Sequence, residues 1–168
     1  MSDRLSPEDR SRVMSRVRGH DTKPELILRR ALHARGFRYR LHVRDLPGRP
    51  DLVFPRYSAV VFVHGCFWHG HDCHLFRMPS TRADFWKDKI ERNRERDRKN
   101  RAELFDRGWR VLELWECAMR GKGRLQTGEM LQSVETWLTG GCATHEVRGR
   151  GDRKPGATDA SVVGEETP

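Results

Sequence analysis

The chain has 168 residues, enough for one domain with a hydrophobic core but too short for two domains of ordinary size. Lys and Arg total 33 against 24 Asp and Glu, a formal net charge of +9, which favours a polyanionic partner such as nucleic acid or an acidic membrane surface. The sequence has no apolar run of transmembrane length and begins with polar residues, so we expect a cytoplasmic protein that does not bind a membrane.

The first predicted element is a basic helix. Ser6 and Pro7 are typical of a helix start. Arginines such as Arg16 outnumber apolar residues such as Met14, so we predict that residues 1–20 form a mobile basic N-terminal helix that becomes ordered on phosphates. The alternative is an amphipathic helix docked on the domain.

Residues 21–139 are predicted to form the folded domain, and residues 140–168, which lack apolar periodicity, a disordered tail. Apolar spacing in the domain predicts a helix, a three-stranded meander, a long charged helix, a last strand and a final helix, which is an α/β pattern. The first helix is expected to begin with a capping box of Thr22 and Glu25. The predicted elements are a helix over 24–35, strands over 37–43, 51–54 and 59–63, a helix over 83–107, a strand over 109–115 and a helix over 128–138.

Residues 60–74 contain four histidines and two cysteines directly after a predicted buried strand. Together with a cysteine at the end of the last predicted strand, they supply three thiols and one imidazole, a set suited to tetrahedral structural zinc. The proposed zinc ligands are Cys66, His71, Cys73 and Cys117. His74 or His69 could replace His71, and Cys142 is left as the free thiol. The alternative is a rigid loop in which these side chains only pack and form hydrogen bonds.

One carboxylate and two histidines are the main candidates for catalysis. In the predicted meander, Asp51 at the start of the second strand lies next to His64 at the end of the third. A carboxylate beside a backbone carbonyl offers the oxygen ligands with which Mg²⁺ holds a scissile phosphate, although Asp51 could equally be a turn carboxylate. His64 and His69 are candidate proton-transfer groups, with a structural role as the alternative for each. Glu25 is a further candidate beside its capping role.

Aromatic side chains near the predicted metal ligands are candidates for contact with DNA. Phe67 and Trp68 lie between two proposed ligands, where a short tethered loop cannot easily turn both rings inward, and exposed rings can enter a base stack. Trp86 could join them or lie in the core. On the same long helix, Asn93 and Asp97 face inward, where they would hold the neighbouring loop or reach a ligand; alternatively, this part of the helix faces water.

Four segments carry a family resemblance. They are Pro-Gly-Arg-Pro-Asp at residues 47–51, Phe-Val-His-Gly-Cys-Phe-Trp-His-Gly-His-Asp-Cys at 62–73, Thr-Arg-x-x-Phe-Trp at 81–86 and Gly-Trp-Arg-Val-Leu-x-x-Trp-Glu-Cys at 108–117. Together they closely resemble the very short patch repair (Vsr) DNA mismatch endonucleases. The resemblance covers about residues 7–138.

This resemblance implies a fold and an activity. The fold would be α/β, with a restriction-endonuclease-like core, a mixed central sheet flanked by helices, and a structural Zn²⁺ site. The activity would be Mg²⁺-dependent nicking of the T-containing strand, 5′ to the T of a T:G mismatch left by deamination of 5-methylcytosine. We expect a nucleoid-associated monomer whose partners are mismatched double-stranded DNA and mismatch-repair accessory proteins.

The resemblance also implies residue roles. Asp51 and the backbone carbonyl of Val63 would bind Mg²⁺, and His69 would transfer a proton, with His64 and Glu25 in the same site. The implied zinc ligands are the set already proposed, Cys66, His71, Cys73 and Cys117. The DNA contacts would come from a wedge of aromatic rings, from the basic N-terminal helix in the minor groove, and from one amide on the long helix. These residues are Met14, Arg16, Phe67, Trp68, Trp86 and Asn93.

Two other functions are considered at this stage. One is a zinc-stabilised DNA-binding module without catalysis, which the combination of Asp51, His64 and His69 disfavours. The other is a restriction-type endonuclease that cuts both strands of an undamaged site; a single nuclease domain favours nicking instead. Related nucleases carry a second carboxylate and a lysine after the first aspartate, and residues 62–64 lack both.

Overall fold

A five-stranded mixed sheet organises residues 20–151, the part of the chain that the computed structural model describes. The strand order follows the chain order, with antiparallel pairing from β1 to β3 and parallel pairing from β3 to β5. The α/β class and the mixed sheet flanked by helices are therefore confirmed. The elements are α1 (Lys23–Ala34), β1 (Arg40–Leu41), β2 (Leu52–Phe54), β3 (Ala59–His64), α2 (Ala83–Asp106), β4 (Arg110–Trp115), α3 (Thr127–Thr139) and β5 (Thr144–Val147).

The sheet is covered on both faces, because its central strands alternate two sets of apolar side chains. Val61 and Leu112 belong to the larger core cluster, which also contains apolar residues of α1 and α3. Val60 and Val111 belong to a second cluster, together with Leu104 of α2. Strands buried on both faces are typical of parallel α/β sheets, where helices cover each side.

The start of α1 differs from the predicted capping box. In such a box the Thr22 hydroxyl would accept a backbone N–H, but here it donates to the Glu25 carboxylate (2.7 Å). Glu25 also accepts the backbone N–H of Asp21 (2.8 Å) and the guanidinium of Arg29 (2.9 Å). The predicted box is wrong because Arg29, one helical turn later, draws the carboxylate into a buried ion pair.

Two strand predictions are corrected. The first strand was expected over 37–43, but β1 is only two residues long, and His42 directly after it has a φ of 45° in the left-handed region. The disordered tail predicted over 140–168 is wrong for β5, which pairs in parallel with β4. The sequence hides β5 because only Val147 in it is buried. The mobile helix predicted within 1–20, and residues 152–168, lie outside the described part of the chain, save for His20.

Within residues 20–151, no helix has both the length and the apolar character needed to cross a lipid bilayer.

Arg110 at the start of β4 joins the sheet to the end of α3. Its guanidinium donates to the backbone carbonyls of Tyr57 (3.1 Å), Trp137 (3.0 Å) and Leu138 (2.8 Å). It also lies over the Trp137 ring, 4.8 Å from the centroid. The last carbonyls of a helix have no partner within the helix, so a fixed cation there both satisfies them and complements the helix dipole.

We predict that Arg110→Met lowers the free energy of unfolding by about 2–3 kcal/mol, because several carbonyls lose a charged donor. Arg38 provides a matched control, since its guanidinium donates to the carbonyls of His33 in α1 and of Phe37, but its side chain is exposed. Arg38→Met should cost less than about 1 kcal/mol. Urea unfolding measures both values, and equal losses would contradict the role assigned to Arg110.

Candidate active site and metal cluster

The parallel register of β3 and β4 sets the layout of the site. His64, the last residue of β3, pairs with Trp115, the last residue of β4. Because parallel strands end at the same edge of a sheet, the residues that follow each strand also meet. Cys66 and Cys117 each come two residues after this pair, and the backbone N–H of Cys117 donates to Sγ of Cys66 (3.3 Å).

The four predicted metal ligands come together as one buried cluster. Their Sγ and imidazole nitrogen atoms all lie within 4.8 Å of one another, and four ligands about 2.3 Å from a tetrahedral ion would be about 3.8 Å apart. The ligands are Cys66, His71, Cys73 and Cys117. This set of three thiols and one imidazole could therefore hold a metal ion.

The structure also chooses among the alternative ligands. His71 directs Nδ1 towards Sγ of Cys117 (3.6 Å), whereas His69 is hydrogen-bonded to Asp97. His74 packs against Gly121 and is not part of the cluster. Cys142 is exposed and lies outside the cluster, as expected for a free thiol.

Asp51 lies beside β3 as the meander predicted. Its Oδ2 accepts the backbone N–H of Val63 (2.7 Å), so the carboxylate and the Val63 backbone are direct neighbours. Burial raises the pKa of Asp51 to about 7; the hydrogen bond from Val63 lowers it and the nearby charge of Glu25 raises it further. Among residues 20–151, no cationic side chain forms an ion pair with Asp51, so its donor atoms suit a bound cation.

The two predicted histidines form adjacent acid–base pairs. His69 Nδ1 is hydrogen-bonded to Asp97 of α2, and Nε2 of His64 lies 3.4 Å from Glu113 of β4. The centroids of the two imidazole rings are 4.2 Å apart. Burial lowers the pKa of His64, although Glu113 opposes this effect, so burial favours the neutral imidazole. Burial raises the pKa of Asp97, but the hydrogen bond from His69 and the nearby charges of His69, His64 and Arg96 together outweigh burial and leave the pKa below the ordinary value.

Glu25 lines the cleft that also contains Asp51, His64 and His69, but its carboxylate already accepts hydrogen bonds from other residues. It is only 3% exposed and accepts hydrogen bonds from Thr22, Asp21 and Arg29. These contacts assign Glu25 a positioning role that the sequence did not reveal. A direct catalytic role for Glu25 remains a prediction.

Helix α2 holds the loop that follows β3. The amide of Asn93 donates to the Trp68 carbonyl (2.8 Å), and Arg94 donates to the carbonyls of His69 (3.0 Å) and Gly70. Asn93 thus holds the loop, the first of its two predicted roles. Gly70 has a φ of 59°, and a Cβ there would lie 2.6 Å from the side chain of Ile90, so the close approach of α2 requires glycine.

The three predicted wedge rings form one half-buried cluster, with Phe67 and Trp68 on this loop and Trp86 on α2. Phe67 contacts Trp68 and Trp86, with centroid distances of 5.2 and 5.1 Å, and Lys89 lies 5.5 Å from the Trp68 centroid. Phe85, which contacts Trp86, is exposed. Mutual edge contacts therefore hold the rings at the surface rather than in the main core. Met14 and Arg16 lie outside the described residues.

An open cleft of about 1230 Å³ connects these groups. Asp51, His64, His69 and Trp68 all line it. Six carboxylates line it, so its lining is mixed in charge. Five cationic side chains line it as well and could contact phosphate groups. They are Arg44, Arg49, Lys89, Arg96 and Arg101.

Comparison with known proteins identifies the family of the chain. The family model described as DNA mismatch endonuclease Vsr matches residues 2–75. The DNA mismatch endonuclease Vsr of Escherichia coli K12 is 41% identical over 151 residues, which cover 90% of this chain and 97% of that protein. The chain belongs to the Vsr family.

Two further relatives are described as type II nicking enzymes. V.XorIIP of Xanthomonas oryzae pv. oryzae is 51% identical over 126 residues, covering 75% of this chain and 93% of that protein. V.NmeAIP of Neisseria meningitidis serogroup A is 43% identical over 122 residues, covering 73% of this chain and 87% of that protein. The predicted family and the predicted class of enzyme, an endonuclease, are confirmed.

Membership in the Vsr family also bears on the predicted tail. The alignment with the Escherichia coli relative covers 90% of a 168-residue chain, so it has to include β5. The part of the chain after residue 140 that packs on the sheet is thus shared with a family member.

Sequence reasoning gave Asp97 a role in holding the loop or reaching a ligand but did not include it among the catalytic candidates. It did not single out Glu113 at all. Asp97 lies one turn after Asn93 on the inward stripe of α2, and this spacing was the available signal for it. Glu113 lies at a strand position between buried Leu112 and Leu114, where the period-2 pattern turns it to the opposite face. Its ion pair with Arg101 (2.8 Å) could not be read from the strand pattern.

We predict that Cys117→Ala loses bound metal and stability together, because the free energy of metal binding at a structural cluster is largely folding free energy. Cys142→Ala is the matched control and should leave both unchanged. Elemental analysis and thermal unfolding of reduced protein measure the two properties. A Cys117→Ala protein that melts like the parent would contradict a structural metal.

Proposed function

We propose that this Vsr-family protein is a Mg²⁺-dependent mismatch endonuclease. It nicks the T-containing strand 5′ to the T of a T:G mismatch formed by deamination of 5-methylcytosine, and so initiates very short patch repair. The observation that carries this proposal is the position of Asp51 beside the Val63 backbone and near the two histidine pairs, in one cleft that is also lined by arginines and a lysine. Restriction-type cleavage of undamaged sites is the rival activity.

Asp51 and the backbone carbonyl of Val63 are the groups that would hold Mg²⁺. A buried carboxylate with a raised pKa and no ion-pair partner in residues 20–151 fits this role, because oxygen donors suit the ion and its charge would stabilise the carboxylate. When bound, the ion supplies Lewis-acid stabilisation of charge on the phosphate. A restriction-endonuclease-like core is the fold we propose for this arrangement of mixed sheet and site.

His69 is the proposed proton-transfer residue. Asp97 accepts from Nδ1 and so fixes the tautomer, which leaves Nε2 of His69 as a base that can take a proton from the attacking water. The His64 ring lies beside it, with the two ring centroids 4.2 Å apart, and is a second imidazole that can exchange a proton in the same site. Glu25 supports the site by holding Arg29 and Asp21 in place.

Zinc is the ion we propose for the cysteine and histidine cluster. Three thiolates and one imidazole form a closed tetrahedral set without an open position, which is typical of structural zinc. The ion would stabilise the loop from which His69 and the aromatic cluster project.

Mismatch preference is proposed to come from Phe67, Trp68 and Trp86. Opening a base step costs a few kcal/mol and less where pairing is faulty, so rings that enter the stack favour a T:G pair. Met14 and Arg16 are proposed to add minor-groove contacts, and Asn93 to keep the wedge in position. We propose that the protein acts as a cytoplasmic, nucleoid-associated monomer with mismatch-repair accessory proteins.

We predict that Asp51→Ala abolishes nicking of a T:G duplex while binding is nearly retained, because the phosphate contacts remain. His69→Ala should slow the single-turnover rate by about 10²–10⁴-fold. The exposed Asp106→Ala is the matched control and should nick at the parent rate. Normal nicking by Asp51→Ala in Mg²⁺ would move the active site elsewhere.

We predict that Trp68→Ala lowers the ratio of the T:G cutting rate to the T:A cutting rate. Without the indole ring, the protein no longer benefits from the lower free energy needed to open a base step at a mismatch. Deletion of residues 1–18 should instead weaken binding to both duplexes and make its salt dependence shallower. Binding titrations at several salt concentrations and single-turnover rates measure both effects. If the deletion erases the ratio and Trp68→Ala leaves it unchanged, the first helix is the reader of the mismatch.

A further inference from the structure

Residues 144–150, which we call the strap, run over the metal cluster. The strap begins with β5 on the sheet edge and continues to Arg150, whose backbone N–H donates to the Gly123 carbonyl (2.7 Å). On the way, the guanidinium of Arg148 donates to the carbonyl of Asp72 (2.6 Å), the residue before ligand Cys73. The strap is therefore bonded to the loop that carries the ligands.

The second ring nitrogen of His71 needs a hydrogen-bond acceptor, and the other three ligands do not provide one. Nδ1 of His71 faces Cys117, so Nε2 carries the ring proton whenever Nδ1 binds a metal. Nε2 is buried and has no hydrogen-bond partner among the described residues. A ligating histidine commonly donates this second N–H to a carboxylate, which fixes the ring orientation and makes the ligand more basic.

Glu146 of the strap is positioned to accept that proton. Its Oε1 lies 3.8 Å from Nε2 of His71 and accepts the indole N–H of Trp115 (2.7 Å). The Trp115 and His71 rings are stacked, with centroids 4.0 Å apart and planes 13° apart. The indole thus holds the carboxylate beside the imidazole, and a small rotation of either group closes a hydrogen bond.

The strap also reaches a cysteine ligand. The backbone N–H of Gly149 donates to Sγ of Cys117 (3.3 Å), and such a donor stabilises the thiolate form. A Cβ on Gly149 would lie 2.5 Å from the Cys117 carbonyl and 2.9 Å from that of Gly123. Only glycine brings the N–H this close to the sulfur.

We propose that the strap is part of the metal site, with Glu146 as the positioning residue for His71 and Gly149 as the donor to Cys117. This inference rests on the proposed zinc cluster. Trp115 connects the strap to the active-site candidates as well. The indole that binds Glu146 also lies beside His64 and His69, with ring-centroid distances of 5.0 Å and 6.1 Å. The strap therefore supports the metal cluster and the catalytic histidines through one side chain.

The rate of zinc release from the full-length protein tests the proposal without any activity measurement. Zinc-loaded protein is mixed with excess chromogenic chelator, and release is followed by absorbance. Glu146→Ala should release zinc about 10-fold faster than the parent, at the lower end of the usual 10–100-fold range because the carboxylate is partly solvated. Glu146→Gln should fall between them, because its amide oxygen still accepts a hydrogen bond from the His71 N–H. Gly149→Ala should also release zinc faster than the parent.

His145→Gln is the matched control, because this neighbour on β5 contacts Ser133 (2.8 Å) and is not one of the residues at the cluster. It should release zinc at the parent rate. Parent-like release by Glu146→Ala, Glu146→Gln and Gly149→Ala would overturn the role of the strap. Parent protein that binds no zinc would instead overturn the proposed zinc cluster on which the inference rests.

Discussion

The parallel pairing of β3 with β4 is the constraint on which the rest of the molecule depends. It places His64 opposite Trp115. Cys66 and Cys117, each two residues beyond its strand end, therefore meet. Catalytic candidates and metal ligands therefore come from the same two strand ends. A shift of this register by one residue would turn every side chain of a strand to the opposite face and separate both sets.

Trp115 connects the metal cluster to the proposed chemistry. Its ring lies between His71 of the cluster and His64 of the cleft, and its N–H holds Glu146. Helix α2 holds the opposite side of the same loop through Asn93 and Arg94. The loop is thus fixed at both sides, so His69 and the aromatic rings are positioned by packing and hydrogen bonds before DNA binds. Preorganisation of this kind lowers the free-energy cost of reaching a reactive geometry.

Most elements of the fold could be predicted because their signals are local. The apolar stripes of α1 and α3 and the alternating faces of β2, β3 and β4 placed these elements within a residue of their observed ends, whereas β1 is much shorter than predicted. Strand β5 escaped prediction because its stability comes from backbone pairing with β4 and from one buried residue, Val147. No hydrophobic pattern of four residues carries that information.

The candidate site was predictable by residue type more than by contact. Cysteine and histidine are the usual ligands of structural zinc, so the cluster, with His71 as its imidazole, could be proposed from spacing, but excluding His69 and His74 required the fold. Glu25 shows the opposite case, because a spacing that fits a capping box also fits an ion pair with Arg29 four residues later. Local geometry permits both, and the buried guanidinium decides between them.

The most direct test of the proposed activity is the product made by the parent protein from duplexes labelled separately on each strand. Duplexes that carry T:G, T:A or C:G at one position would be incubated with zinc-loaded protein, with and without Mg²⁺. The account predicts a single nick, 5′ to the T of the T:G duplex, that requires Mg²⁺. Cleavage of both strands, or equal nicking of the T:A and T:G duplexes, would contradict it.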